Sequence, residues 1–397
     1  MPNIVIAGGG FAGVWAAASA VRLLRDHGAT ATVTLVSAGD DLVIRPRLYE
    51  SRPEDKRVSL DRVLGPLGVH RIAGTVCGID TDRRQIAIVR RDGDSFDLDY
   101  DRLVLATGSR LVRPPVIGER YLFDVDTISS AAALESHLLR LPQRQPAAGR
   151  FAAVVVGAGF TGIEVATELV DRLRRLAGDP REVSVVLVDQ AAVVGAELGE
   201  GPRTYILRAL AELSIEARLR VTVHEVDEHG VVLSDGTRLT ASTVIWTAGL
   251  SASPLTRMIP GGRDALGRLT VDELLRVPGV PGVFAAGDTA APMASDGETV
   301  MQSCQHAMPQ GRYAGHNAVA DLLGLPSVSF ATDPYVTCLD LGGSGAVFTH
   351  GRHRVVQLAG EEAKAIKRKI TSVLIYPPLG DPDALLAQAS PRLAPGA

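Results

Sequence analysis

The chain has 397 residues, 46% of them hydrophobic, enough to bury one large core or several smaller ones, so a multidomain globular protein is expected. Its 41 Lys and Arg against 45 Asp and Glu leave a net charge of -4, without the basic excess that neutralising a phosphate backbone requires, which excludes nucleic acid as a partner. Three scattered cysteines, Cys77, Cys304 and Cys338, form neither a disulfide framework nor a CxxC motif, a usage that fits a reducing, cytoplasmic setting.

The N-terminus enters a strand at Asn3 to Ala7 and runs straight into glycines, with no charged segment followed by a cleavable apolar stretch. Gly8-x-Gly10-x-x-Gly13 follows that strand and opens a helix over Val14 to Arg25, with Phe11 and Ala12 inside the turn. In such a turn the first glycine permits the tight bend. The second lets backbone approach a pyrophosphate, and the third lets the helix pack on its strand with its N-terminus toward the phosphates. Ala31 to Val36 reads as the next strand, closed by Ser37 rather than by a carboxylate, with Asp40 and Asp41 just beyond. The usual acidic partner of an adenosine ribose is therefore absent or displaced in this first unit. Gln85 to Val89 and Leu103 to Ala106 read as further strands, the latter ending in Thr107-Gly108.

The same unit recurs: Val154 to Val156 runs into Gly157-x-Gly159-x-x-Gly162, with Thr161 in the turn, and a helix follows over Ile163 to Leu176. One GxGxxG is weak evidence, but two in strand, turn, helix context are strong. The second unit's next strand, Val183 to Val188, closes at Asp189, which accepts hydrogen bonds from ribose hydroxyls and repels a 2'-phosphate. It favours NADH over NADPH, while Arg181 and Arg203 pull the other way. Phe151 to Ala166 is broken by glycines, Thr161 and Glu164, and no stretch approaches the ~18 uninterrupted apolar residues of a spanning helix.

Farther along, Val231 to Leu233 with Ser234-Asp235-Gly236-Thr237 suggests a hairpin, and Thr243 to Trp246 a strand ending at Thr247-Ala248-Gly249. Val283 to Ala286 ends in Gly287-Asp288, and Gln310 to Leu323 has a helical apolar face. From about Asp333 a third region begins. Ala363 to Ile370 carries Lys364, Lys367, Arg368 and Lys369 and leads into the apolar Val373 to Ile375, where Pro377-Pro378 stops the pattern. Such a patch can meet anionic lipid; a solvated helix face followed by a strand at a subunit contact, as in a homodimer, is slightly preferred. Ala387 to Ala397 has the composition of a loose tail.

Gly8 to Gly13, Leu103 to Gly108, the second glycine set and Val283 to Asp288 occur in an order that resembles the pyridine nucleotide disulfide oxidoreductase superfamily. The resemblance implies an α/β fold with two Rossmann-like domains, an FAD domain with an inserted NAD domain, plus a small C-terminal region. The expected bounds are 1–113 and 249–328 for the FAD domain, 114–248 for the NAD domain and 329–397 for the remainder. It also implies that Asp288 contacts the flavin ribityl chain. The redox CxxxxC of the disulfide reductases is missing, since no cysteine precedes Cys77. Arg45-Pro46-Arg47-Leu48-Tyr49-Glu50, Thr161-Gly162-x-Glu164 and Cys304-Gln305-His306-Ala307-Met308-Pro309-Gln310-Gly311 are similar to type II NADH dehydrogenases, with Cys304 and Pro309 departing from the AQxAxQQG pattern.

By that resemblance Gly8, Gly10, Gly13, Thr107 and Asp288 hold FAD, Gly157, Gly159, Gly162, Glu164 and Asp189 hold NADH, and Phe11, Ala12, Ser37, Arg45, Gly108, Thr161, Gly249, Gly287 and Gln305 complete the cofactor-binding set. Glu164 is expected near the nicotinamide, with an exposed helix acid favoured by the dipole as the lesser alternative. Gln305 and His306 are expected beside the flavin, with His306 as a proton donor or simply a core histidine. Cys304 and Cys338 could serve sulfide chemistry, but packed thiols are the more ordinary reading. The activity implied is hydride transfer from NADH to FAD and then two electrons to a quinone, on a cytoplasmic protein with or without peripheral membrane contact. The alternatives are a soluble oxidoreductase with a dedicated small-molecule or protein acceptor, and an NADH-responsive redox sensor resembling apoptosis-inducing factor.

Overall fold

A computed structural model describes residues 1–113, 115–294, 297–332 and 334–392. The boundary expected at Pro114, the start of the third region at Asp333 and residues 393–397 of the tail lie outside the described residues. Each glycine turn opens a five-stranded parallel sheet. In the first, the strands run Val283–Ala285, Arg102–Leu105, Asn3–Ala7, Thr32–Ser37, His70–Ala73 across the sheet. A strand from beyond the second unit thus completes the sheet that residue 3 begins. The second sheet runs Leu122–Phe123, Thr243–Trp246, Ala152–Val156, Ser184–Asp189, Ile215–Leu219 and is complete within the intervening segment. The central strands, with the sequences NIVIA and AAVVV, are buried almost throughout, which is why they read as continuous apolar runs rather than alternating ones. The chain passes between the two units on an antiparallel pair, Ser109–Leu111 against Leu250–Ala252.

The helix Phe11–Asp26 packs closely against Cys304–Leu323. A Cβ at Gly311 would overlap the Ala12 carbonyl oxygen, and one at Gly315 would overlap that of Ala16. Ser19 Oγ donates to the Arg312 carbonyl at 2.7 Å across the same contact. The second helix begins at Cys304 rather than at Gln310, where the apolar period starts. Ser303 caps it by accepting from the His306 amide, and Pro309, past the first turn, forgoes the intrahelical bond that an amide there would give to the Gln305 carbonyl.

The C-terminal region is a three-stranded antiparallel sheet, Val336–Asp340, Ala346–His350 and Val355–Gly360, followed by the helix Glu361–Lys369. Leu339, Leu341 and Val347 join the second unit's apolar cluster with Ile163, Leu169 and Leu173. Three sequence expectations change here. The run at Val373 is not a strand: Ile370–Leu374 forms a π-helical turn. The basic helix is not wholly a solvated face, because Lys364 and Lys367 turn inward while Arg368 stays exposed. And helical structure resumes after Pro377-Pro378 as Pro382–Gln388, with Leu385 buried in the first unit's core and Ala389, within the expected loose tail, buried there too.

Replacing Gly315 by Ala should lower stability by about 1–3 kcal/mol through overpacking, outweighing a helix-propensity gain of about 1 kcal/mol. Thermal unfolding of the variant checks this, and a melting temperature equal to or above the parent's would show that the helices separate freely.

Candidate active site

Both glycine turns face one cleft of about 1890 Å³. In the first turn the Gly8 amide donates to the Val36 carbonyl at 2.8 Å, with φ +116° at Gly8. A Cβ at Gly13 would overlap the Gly8 carbonyl oxygen, whereas Gly10 has nothing within 4 Å of where a Cβ would stand. The N-terminus of the helix Phe11–Asp26 is thereby left open to a phosphate. Phe11, Ala12, Ser37, Gly108 and Thr107 line the cleft, and the buried Thr107 Oγ1 has no hydrogen-bond partner from the protein. An orphaned hydroxyl beside an open glycine cradle fits FAD. Asp40 is turned away, bonded to Arg71 at 3.0 Å and Arg91 at 2.8 Å, and the Arg91 guanidinium holds its carboxyl below the usual range. Ser37 and Asp41 are what the end of the strand presents to the cleft.

The crossing point is organised by charge. Arg45 donates to Ser109 Oγ at 2.8 Å and pairs with Asp126, and Ser109 Oγ donates to Asp288 Oδ2 at 2.6 Å. Gln310 Oε1 accepts from the Gly287 amide at 2.7 Å and Gln302 donates to the Asp288 carbonyl at 3.2 Å, so the Gly287-Asp288 turn is held from two sides. Asp126 and Gln302 belong to no motif in the sequence, and their place is apparent only once the crossing strands bring them here.

The second turn repeats the first: a Cβ at Gly162 would overlap the Gly157 carbonyl oxygen. Gly157, Gly159, Thr161, Gly162 and Gly249 line the cleft. Asp189 Oδ2 accepts from the Ala158 amide at 2.6 Å and Oδ1 from Ala191 at 2.7 Å, which fixes the carboxylate at the strand end. Neither arginine that would oppose it lines the cleft: Arg181 lies before the strand and bonds Asp179 at 2.7 Å, and Arg203 donates to the Val194 carbonyl at 3.2 Å.

Glu164 is not an exposed helix acid. It is 4% exposed, and its Oε1 accepts from Lys367 Nζ at 2.7 Å and from the Asp340 amide at 3.0 Å. Burial pushes its carboxyl up to about 7 against the pull of Lys367. Burial also opposes the Lys367 charge, but Glu164 and Asp340 outweigh it and hold the ammonium above its ordinary range. The ammonium lies 5.9 Å from the Tyr49 ring centroid and 5.5 Å from that of Phe160. Tyr49 donates to Asp340 Oδ2 at 3.1 Å, and Lys364 pairs with Asp340. One helical turn on, burial and Asp340 push Glu168 up to about 7 as well. Lys367, Asp340 and Tyr49 are the partners that sequence reasoning missed.

Gln305 lines the cleft, its Oε1 accepting from the Val336 amide at 3.4 Å. His306 does not: it is buried behind the wall, with Nδ1 2.8 Å from the Met301 carbonyl oxygen and its ring stacked on Tyr335 at 4.9 Å. The structure places it as a core histidine rather than a proton donor facing the cleft. Cys304 and Cys338 both line the cleft, and burial pushes both thiols up to about 11. They stay protonated near neutrality and are poor nucleophiles.

Comparison with known proteins agrees with this geometry. The chain is 44% identical over 402 residues to an NADH dehydrogenase-like protein of Mycobacterium tuberculosis, covering 100% of both chains. It is 28% identical over 357 residues to the demethylphylloquinone reductase of Synechocystis, covering 88% of this chain and 86% of that one. The structure of NDH2 from Plasmodium falciparum in complex with NADH superimposes with a TM-score of 0.79 at 14% identity, covering 94% and 95% of the two chains, a likeness of fold. The profile of the pyridine nucleotide-disulphide oxidoreductases matches residues 2–311. Spanning both glycine turns and the Gly287-Asp288 turn, that match, together with the full-length similarity to an NADH dehydrogenase-like protein, shows that the chain belongs to the pyridine nucleotide-disulphide oxidoreductases, enzymes that use FAD and NADH.

Proposed function

We propose that the chain oxidises NADH at the second glycine turn and delivers the two electrons to a quinone-type acceptor in the same cleft, with Glu164 handling a proton. The observation that carries this reading is a carboxyl buried on the cleft wall, poised at about 7 and bonded to Lys367. A hydride brings two electrons and one proton, whereas a quinone becoming a quinol takes two electrons and two protons. The missing proton must come from solvent through a group that changes protonation near neutrality, and Glu164 meets that requirement. When bound, FAD supplies the two-electron chemistry between donor and acceptor. Asp288 and Thr107 would bind and orient it, and Asp189 would hold the NADH ribose.

The acceptor class rests on the demethylphylloquinone reductase and the type II NADH:quinone oxidoreductases among the relatives. Leu250, Met258, Leu266 and Leu374 are exposed and line the cleft, a rim suited to an apolar acceptor. Protonated thiols at Cys304 and Cys338 disfavour a sulfur route. No helix among the described residues is long and apolar enough to cross a membrane, and the exposed Val373 and Leu374 next to Arg368 favour peripheral lipid contact as the way such an acceptor is reached. The substitutions Cys304 and Pro309 favour the second reading, a dedicated soluble acceptor.

Anaerobic stopped-flow decides between these: NADH should bleach the flavin absorbance and a soluble naphthoquinone should restore it promptly, whereas bleaching without reoxidation would overturn the quinone assignment. Glu164→Gln should slow quinone-dependent turnover about 10²-fold. It should also abolish the fall in rate expected as pH rises through about 7, where the parent's carboxyl loses its proton; an unchanged pH profile would remove Glu164 from the proton path. Asp189→Ala should raise KM for NADH far more than for NADPH, and equal effects on the two would sink its role in choosing between them.

A further inference from the structure

Glu197 belongs to no motif, yet it sits on the second glycine turn. Its Oε1 accepts from the Phe160 amide at 3.2 Å and lies 2.6 Å from where a Cβ on Gly159 would stand. Gly159 provides no side-chain cap for the helix Phe160–Ala177 and no acid occupies its first turn, so this carboxylate supplies the negative charge that the helix N-terminus favours. In a GxGxxG turn that is where a dinucleotide pyrophosphate docks. Glu197 is carried on the short turn Ala196–Leu198 between Gly195 at φ +60° and Gly199 at φ +76°.

A second observation stands nearby. Arg354 is 7% exposed, lines the same cleft, and its Nη1 is buried with no hydrogen-bond partner. Its own polar contact is a weak one, Nη2 to Met301 Sδ at 3.6 Å, and its guanidinium lies 5.7 Å from the Tyr335 ring centroid. A buried guanidinium without an anion is costly and calls for one. The Arg354 loop adjoins the Glu197 turn: a Cβ on Gly201, in the first turn of the helix Glu200–Leu213, would stand 3.0 Å from the Arg354 carbonyl oxygen.

We propose that Glu197 is a built-in competitor for the dinucleotide pyrophosphate, seated on the Phe160 amide when the turn is free and transferred to Arg354 when the dinucleotide binds. The proposal rests on the second glycine turn being the dinucleotide site. A ligand docking there gains the helix N-terminus but must first displace a carboxylate, so Glu197 weakens binding and speeds release. Arg354 makes the exchange reversible by giving the displaced charge a partner. Two like charges, carboxylate and pyrophosphate, cannot share the same amide, which makes the exchange obligatory.

Titration calorimetry of the FAD-loaded protein with NAD+ and with ADP-ribose tests this without turnover. Glu197→Gln should tighten both ligands by roughly 5- to 10-fold. Arg354→Gln should weaken both in the parent and have no effect in the Glu197→Gln background, because the displaced charge is gone. Unchanged or weaker binding by Glu197→Gln, with flavin spectrum and melting temperature retained, would overturn the competitor. Equal weakening by Arg354→Gln in both backgrounds would overturn the transfer and assign Arg354 to the pyrophosphate itself. If neither parent nor Glu197→Gln binds NAD+ or ADP-ribose, the dinucleotide reading of this turn fails, and with it the proposal.

Discussion

Lys367 Nζ and Glu164 Oε1 lie 2.7 Å apart, 6% and 4% exposed as residues, and the chain between them spans 203 positions. Removing either partner would leave the other buried without its counter-charge, a cost of about 3–5 kcal/mol. The pair therefore does more than seal a wall. It fixes where the sheet Val336–Asp340, Ala346–His350 and Val355–Gly360 can dock, and with it the part of the cleft that Cys304, Gln305 and Tyr335 line. Asp340 extends the arrangement, accepting from Tyr49 and Lys364 through its side chain and donating its amide to Glu164. Segments from the first unit, the second unit and the C-terminal region meet at one charged cluster, and the cleft exists because they do.

A buried ion pair stabilises less than its Coulomb energy suggests, since both partners lose hydration. Here the added contacts are specific: an amide from Asp340 to the carboxylate, and two aromatic faces, Tyr49 and Phe160, near the ammonium. Apolar residues of the same volume would pack as well. What they would lack is a carboxyl that remains near its midpoint at neutral pH while the neighbouring lysine keeps its charge. The same burial that lifts Glu164 also lifts Cys304 and Cys338, so one low-dielectric wall makes a carboxyl responsive and leaves two thiols inert.

The sequence made the two Rossmann units legible because their signals are local: a run of buried β-branched residues, three glycines at fixed offsets, and a helix. Gly13 and Gly162 confirm why, each leaving room for a carbonyl oxygen five positions earlier. Other features were hidden because they depend on residues far away in the chain. Lys364 and Lys367 sit on a helix whose composition is that of a solvated face, and only Asp340 and Glu164 show which way they turn. Pro309 conceals the first turns of a helix by breaking its apolar period, while the packing of Gly311 and Gly315 on Ala12 and Ala16 requires that helix to be there. His306 stands in a segment that resembles a flavin-side motif, but its partner is the Met301 carbonyl behind the wall.

The two glycine turns are near copies in backbone and differ in what faces them. At the first, Gly10 looks into open space, and the helix Phe11–Asp26 has no side-chain cap and no acid in its first turn. At the second, the corresponding Gly159 faces a carboxylate. A group meant to stay bound gains nothing from a competitor, since every interaction at its site can be spent on affinity. A ligand that arrives as NADH and must leave as NAD+ is served differently, because interactions felt equally by both forms tighten product along with substrate. A charge that reoccupies the phosphate seat on departure lowers affinity for both forms without touching the nicotinamide, where the two differ. The asymmetry between Gly10 and Gly159 is thus what one fold, used twice, should show when one copy holds a cofactor and the other exchanges a substrate.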